Sequence, residues 1–220
     1  NYVVKTAIGH GFMLGILGNG SLVAWGRNND GQVTIPSALR TKLFIDVSAS
    51  MAASFAIDGE NNLYAWGAND YGERDIPLAA RSNVKAVDGG GRHVLALKTD
   101  GTVVAWGRNN FGQSTVPAGL SNVIAIAAGD EFSLALTSAG RVVAWGNNEL
   151  KQVAVPKDLR DVIAIAAGTD HALALRFDGT VVGWGNNSQR QLTNINYATN
   201  VVQIGAGREY SVLLRSDGTI

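Results

Sequence analysis

Apolar residues come in short runs along this chain, and the runs recur. The clearest block reads Val123-Ile-Ala-Ile-Ala-Ala-Gly, then Asp130-Glu131, then Phe132-Ser-Leu-Ala-Leu, a turn at Ala139-Gly140, and Val142-Val-Ala-Trp-Gly. The next block nearly repeats it: Val162-Ile-Ala-Ile-Ala-Ala-Gly, His171-Ala-Leu-Ala-Leu, Asp178-Gly179 and Val181-Val-Gly-Trp-Gly. Short β-branched runs bounded by Gly and Asp predict strands. They alternate little between apolar and polar, the pattern of strands buried on both faces.

The period is fixed. Trp-Gly occurs at Trp25, Trp66, Trp106, Trp145 and Trp184, spaced by 41, 40, 39 and 39 residues. Gly9, Ser50, Gly90, Gly129 and Gly168 stand 16 residues before these tryptophans, and Gly207 opens a sixth unit that stops short of its Trp. Such self-similarity marks a repeat architecture. The repeats run 1–39, 40–80, 81–119, 120–158, 159–197 and, in part, 198–220, within a single domain 1–220. Each predicts four short antiparallel strands, such as Val123 to Ala127, Ser133 to Leu136, Arg141 to Trp145 and Val153 to Val155. Asn19-Gly20 and the Asp-Gly pairs at Asp100, Asp178 and Asp217 predict tight hairpins between the second and third strands. Pro36, Pro77, Pro117 and Pro156 close the fourth strand, where a missing N–H does no harm, and Asn194 stands in that region of the fifth repeat. Sheets that bury both faces by stacking on their neighbours predict an all-β chain, a β-propeller of four-stranded blades with five full repeats and a partial sixth.

Composition narrows the chemistry. Eighteen Lys and Arg balance 18 Asp and Glu, which gives no basic excess for nucleic acid. There is no cysteine, hence no disulfide, thiolate metal site or cysteine nucleophile. No apolar run approaches membrane-spanning length, so no membrane insertion is expected. His10, His93 and His171 lie in different repeats without ligand spacing, and no metal is expected. His93 and His171 share a position with Phe12, Phe132 and Tyr210, which reads as a packing site. No arrangement of nucleophile and base emerges. The expectation is a protein that is not an enzyme and needs no cofactor.

The pattern Ala-Ala-Gly-x-x-(His/Phe)-x-Leu-Ala-Leu, Asp-Gly-x-Val-Val-Ala-Trp-Gly-x-Asn-x-x-Gly-Gln-x-x-Val-Pro, nearly complete in residues 84–117, resembles the regulator of chromosome condensation repeat. The short, insertion-free copies are most similar to bacterial members such as the type II β-lactamase inhibitory protein. The resemblance implies a propeller of seven blades, more than this chain supplies. It follows that the chain is part of a longer polypeptide, with a smaller or open ring as the alternative. It also implies an interaction module, since family members include enzyme inhibitors, ubiquitin-ligase modules, a photoreceptor and a nucleotide exchange factor. The motif is specific for fold and weakly specific for function.

In such a meander, loops between strands one and two share a rim with loops that follow strand three. This rim carries residues that vary between copies: Arg92, Asp130, Glu131, Thr169, Asp170, Arg208 and Glu209 in the first set, and Asp30, Tyr71, Phe111, Leu150 and Gln189 at one equivalent position in the second. Exposed positions that vary on a constant frame are candidates for reading a partner. Trp25, Trp66, Trp106, Trp145 and Trp184 are read as core. Asn28, Asn69, Asn109, Asn148 and Asn187, constant after each Trp-Gly, are read as turn formers that accept the left-handed conformation and bond their own backbone. Gly31, Gly72 and Gly112 are read as turn glycines, and Lys151 and Arg190 in their place predict altered turns. The expected function is protein binding by a bacterial, secreted or cell-surface module, with inhibition of a β-lactamase or penicillin-binding protein as the sharpest version, though the sequence also leaves the cytoplasm open. The alternatives are a structural domain of a larger surface or filament protein that self-associates, and a guanine nucleotide exchange factor for a small GTPase.

Overall fold

A computed structural model describes residues 2–220, which divide into two compact units, unit 1 ending at Arg108 and unit 2 running from Asn109 to Ile220. Unit 1 holds three antiparallel sheets: β1 (Val3–Ile8), β2 (Phe12–Leu17) and β3 (Leu22–Gly26); β4 (Phe44–Ala49), β5 (Ala53–Asp58) and β6 (Leu63–Gly67); β7 (Val84–Gly89), β8 (His93–Lys98) and β9 (Val103–Gly107). Unit 2 holds β10 (Val123–Ala128), β11 (Phe132–Thr137) and β12 (Val142–Gly146); β13 (Val162–Ala167), β14 (His171–Arg176) and β15 (Val181–Gly185); and the pair β16 (Val201–Ala206) and β17 (Ser211–Arg215).

The sheets have three strands each, not four, and the last has two. The segment expected as a fourth strand is a turn. At Val153 to Val155 the donors are taken locally: the Val153 N–H goes to the Asn148 side chain and the Ala154 N–H to the Lys151 carbonyl. Backbone committed in this way cannot ladder onto β12. Pro36 and Pro77 open short 3-10 turns instead of closing strands.

The cores lie between consecutive sheets within each unit. Phe12, Leu14, Ile16 and Leu39 pack with Phe44, Val47 and Trp66, and Phe132, Leu134, Leu136 and Leu159 pack with Val162, Ala172 and Trp184. The expectation of burial on both faces is met by the central strands, where all six residues of β5 are buried. It fails at the start of each sheet. Every first strand carries a bulge at its second residue, and Val4, Ile45, Lys85, Ile124, Ile163 and Val202 turn outward to solvent there.

The marker glycine has a steric cause. A Cβ on Gly129 would fall 2.0 Å from Cε1 of Phe132, and one on Gly168 would fall 2.3 Å from Cε1 of His171. The aromatic or imidazole ring three residues on lies across the glycine. The second repeat carries Ala53 at the ring position, which leaves room for Ser50; its hydroxyl then accepts the Ala53 N–H at 3.0 Å.

Candidate functional site

The two sets of loops share one edge of each sheet because the backbone binds them together. The N–H of Arg27, Ala68, Arg108, Asn147 and Asn186 donates to the carbonyl of Gly11, Ala52, Arg92, Glu131 and Asp170 respectively, at 2.8–2.9 Å. Each hydrogen bond ties the residue after a Trp-Gly strand to the loop that precedes the central strand.

A repeated brace makes the second loop rigid. The carbonyl oxygens of the Asn28, Asn69, Asn109, Asn148 and Asn187 side chains accept backbone N–H groups five residues on, at 2.7–3.2 Å. None of the five sits at positive φ. They do bond their own backbone, but as struts across the loop and not as left-handed turn residues. The left-handed position belongs to Gly31, Gly72 and Gly112, and to Lys151 (φ 65°) and Arg190 (φ 64°). The turns expected to differ at Lys151 and Arg190 are therefore the same turn, held by its braces against the preference of an L side chain.

A further brace escaped the sequence reading. Gln32, Glu73, Gln113, Gln152 and Gln191 are buried, and each side-chain oxygen accepts the N–H of Asp30, Tyr71, Phe111, Leu150 or Gln189, two residues earlier, at 2.8–3.0 Å. Their backbone carbonyls accept the indole N–H of the next repeat: Trp66 to Gln32, Trp106 to Glu73, Trp145 to Gln113 and Trp184 to Gln152. These four tryptophans are buried, whereas Trp25, in the first repeat, is 44% exposed. The available signal was an amide or acid seven residues after each Trp. The serines Ser54, Ser133 and Ser211 donate to the same carbonyls as the tryptophans or their equivalent. His171, fully buried, lies 3.1 Å from Ser211 by its Nε2. Because that hydroxyl already donates to Gln191, Nε2 carries the proton, and burial holds the imidazole below its usual range.

On this frame the variable side chains stand out. Tyr71, Phe111 and Leu150 are 42%, 41% and 45% exposed; Asp30, Gln189, Arg208 and Glu209 are exposed; Arg92, Asp130, Glu131, Thr169 and Asp170 are half-buried. In unit 1 the guanidinium of Arg92 lies 4.7 Å from the centre of the Tyr71 ring, and Asp30 faces Arg27 at 3.9 Å. In unit 2 the Asp130 N–H donates to Thr169, and the Glu131 carboxylate accepts from Asn147. Burial, then the charges of Asp130 and Glu131, push the Asp170 carboxyl up. Phe111, Leu150 and Gln189 each project from a separate loop.

A cavity in unit 1, about 790 Å³, lies away from these residues, beside Leu63–Ala65 and Arg74–Ile76. Among the described residues no group of three or more His, Asp or Glu side chains is placed to hold a metal ion. Among the described residues no helix is long and apolar enough to cross a membrane.

Known proteins share this architecture. Yeast RCC1 (Prp20), solved bound to Kap60, superposes with a TM-score of 0.80 at 21% identity, over 98% of this chain and 68% of that one. A Saccharomyces cerevisiae Prp20p structure, described together with its binding to Gsp1p and histones, gives 0.78 at 20% identity, over 98% and 70%. The ectodomain of the Physcomitrella patens receptor kinase CR4 gives 0.80 at 19%, over 98% and 62%. At these identities the likeness speaks for the fold, an all-β RCC1-like propeller. No curated protein matches in sequence. The profile of the Regulator of chromosome condensation (RCC1) repeat matches residues 3–32, 84–113, 123–152 and 162–191, more than half of the chain. The chain belongs to the regulator of chromosome condensation (RCC1) repeat family.

Proposed function

We propose that this chain is a non-catalytic protein-binding propeller that meets its partner with the loops carrying Asp30 and Tyr71 in unit 1, those carrying Phe111, Leu150 and Gln189 in unit 2, and the loop that faces each within its own sheet. One observation carries the proposal. Five equivalent loops are locked by the same Asn and Gln or Glu hydrogen bonds, yet the side chain presented from each is different. Rigid frames with variable exposed aromatic and aliphatic anchors lose little entropy on binding, which favours recognition. The known RCC1-like structures bound to or described with protein partners support the same reading.

The sharper version is a bacterial, secreted inhibitor of a β-lactamase or penicillin-binding protein, supported by the short, insertion-free repeats. A ring of seven blades belongs to the same proposal, in keeping with the 68% and 70% of the yeast chains that this chain spans. Titration calorimetry against a panel of these enzymes tests the inhibitor version: a binding heat that the Phe111→Ala and Leu150→Ala substitutions weaken supports it, and silence across the panel removes it. Nucleotide exchange on a small GTPase is the second reading, prompted by the Prp20p structure and its reported binding to Gsp1p. Accelerated release of a fluorescent nucleotide from a GTPase would favour it over inhibition.

A further inference from the structure

We propose that Arg92, laid on the Tyr71 ring, is where the rim of unit 1 receives a carboxylate side chain of the protein partner. The inference rests on the protein-binding reading and names the chemistry that one part of the rim selects.

Two guanidiniums address one ring. Arg92 is 4.7 Å and Arg108 5.5 Å from the Tyr71 centroid. A guanidinium whose face lies on an aromatic ring keeps its edge N–H donors for a planar, two-oxygen acceptor. The acidic residue paired with Arg92 in unit 1 holds it weakly: Asp70 reaches it only at 4.0 Å, and the Asp70 side chain is 75% exposed. Such a long, solvated contact contributes little and is readily exchanged for a better acceptor.

The cluster is also pre-organised. The Tyr71 N–H is held at 2.9 Å by the buried Glu73 carboxylate, and Asn69 spans the loop to the Arg74 N–H at 2.7 Å. The Arg108 N–H donates to the Arg92 carbonyl at 2.8 Å, which fixes the two arginine backbones relative to one another. Tyr71 belongs to the second repeat and Arg92 to the third, so the pair is assembled only by the stacking of two sheets. Arginine and tyrosine are residue types that concentrate binding energy at interfaces. An aspartate or glutamate of the partner therefore fits here better than an amide or a basic residue.

The test uses the whole chain and a synthetic ten-residue peptide of alternating Glu and Ser, with a Gln-for-Glu peptide as control, titrated at low salt by amide chemical-shift changes. The Glu peptide is expected to bind about tenfold more tightly than the Gln peptide, and Arg92→Gln to remove about that tenfold preference, as the loss of one charge-assisted pair would. Arg92→Lys keeps the charge without the planar fork and is expected to restore only part of it. Phe177→Ala, at an exposed position outside these loops, is expected to leave it unchanged. Equal affinity for both peptides, or a preference that survives Arg92→Gln, overturns the proposal. If a protein partner's affinity falls on Phe111→Ala or Leu150→Ala but not on Arg92→Gln, the carboxylate site is lost while the protein-binding reading stands.

Discussion

The marker glycine and the ring across it form a pair that only a double substitution can test. Gly129→Ser places a side chain whose Cβ would sit 2.0, 2.4 and 2.7 Å from three atoms of the Phe132 ring. Phe132 is fully buried, so the ring has nowhere to retreat. Overpacking of this kind costs about 1–3 kcal/mol, and distances this short belong at the upper end. Phe132→Ala alone empties a ring-sized space, at about 3–5 kcal/mol. Independent costs would sum to about 6–8 kcal/mol, enough to unfold many domains. The second repeat shows why they will not sum. Ser50 and Ala53 occupy the same two positions, and the serine hydroxyl accepts the Ala53 N–H at 3.0 Å. In the double variant the serine enters the space left by the ring and takes the equivalent N–H, a hydrogen bond worth about 1 kcal/mol. The double variant is expected to be no less stable than Phe132→Ala alone, a coupling of about 3 kcal/mol or more. Urea denaturation followed by tryptophan fluorescence measures all three. If Gly129→Ser costs less than about 0.5 kcal/mol, or if the two costs add, the steric account of the marker glycine is wrong.

Three further outcomes follow from particular residues. Gly112 stands at φ 81° with nothing within 4 Å of the missing Cβ, so Gly112→Ala should cost about 1–2 kcal/mol in thermal or urea unfolding from backbone conformation alone. Lys151 occupies the same turn at φ 65°, and Lys151→Gly should relieve that strain, a gain of up to about 1 kcal/mol after the extra freedom of glycine in the unfolded chain is subtracted. Asp58 is buried; burial works to raise its carboxyl, but the Asn62 N–H, the Tyr64 hydroxyl, the Asn62 amide and Lys42 outweigh it and hold the group down to about 2. Its folded value lies below its unfolded one, so its stabilisation of about 2 kcal/mol is complete above about pH 4 and lost as pH falls toward 2. Asp58→Asn should lower the melting temperature at neutral pH and flatten that part of the acid-unfolding profile.

The fold was legible because its strongest constraints act on residue identity at fixed spacing. Trp66, Trp106, Trp145 and Trp184 each need a carbonyl from the preceding repeat, and the marker glycine must lack a Cβ under a ring, so both recur with the period. The fourth strand was misread because Val153 to Val155 has strand-like composition. What decides its conformation is the side-chain oxygen of Asn148, five residues before the Val153 N–H it binds, and no local propensity encodes that. The bulges were invisible for a similar reason: Ile124 and Ile163 look like core in sequence, and only the register of the first strand shows them turned outward.

The variable loop positions could be picked out in the sequence, since they differ on a periodic background, but the contacts they make could not. Tyr71 and Arg92 lie in different repeats and meet only when two sheets stack, so no spacing along the chain announces the pair. Sequence also hid the division of labour within each loop. The residues that vary carry their side chains outward, while their own N–H groups are held by Gln32, Glu73, Gln113, Gln152 or Gln191 beneath them. A substitution at the outward position leaves that N–H bond in place, so the rim can change its chemistry without disturbing the stack. The buried amide has no such freedom. Its side chain fixes the rim and its carbonyl holds the next tryptophan, so one residue couples the presented surface to the cohesion of the repeats.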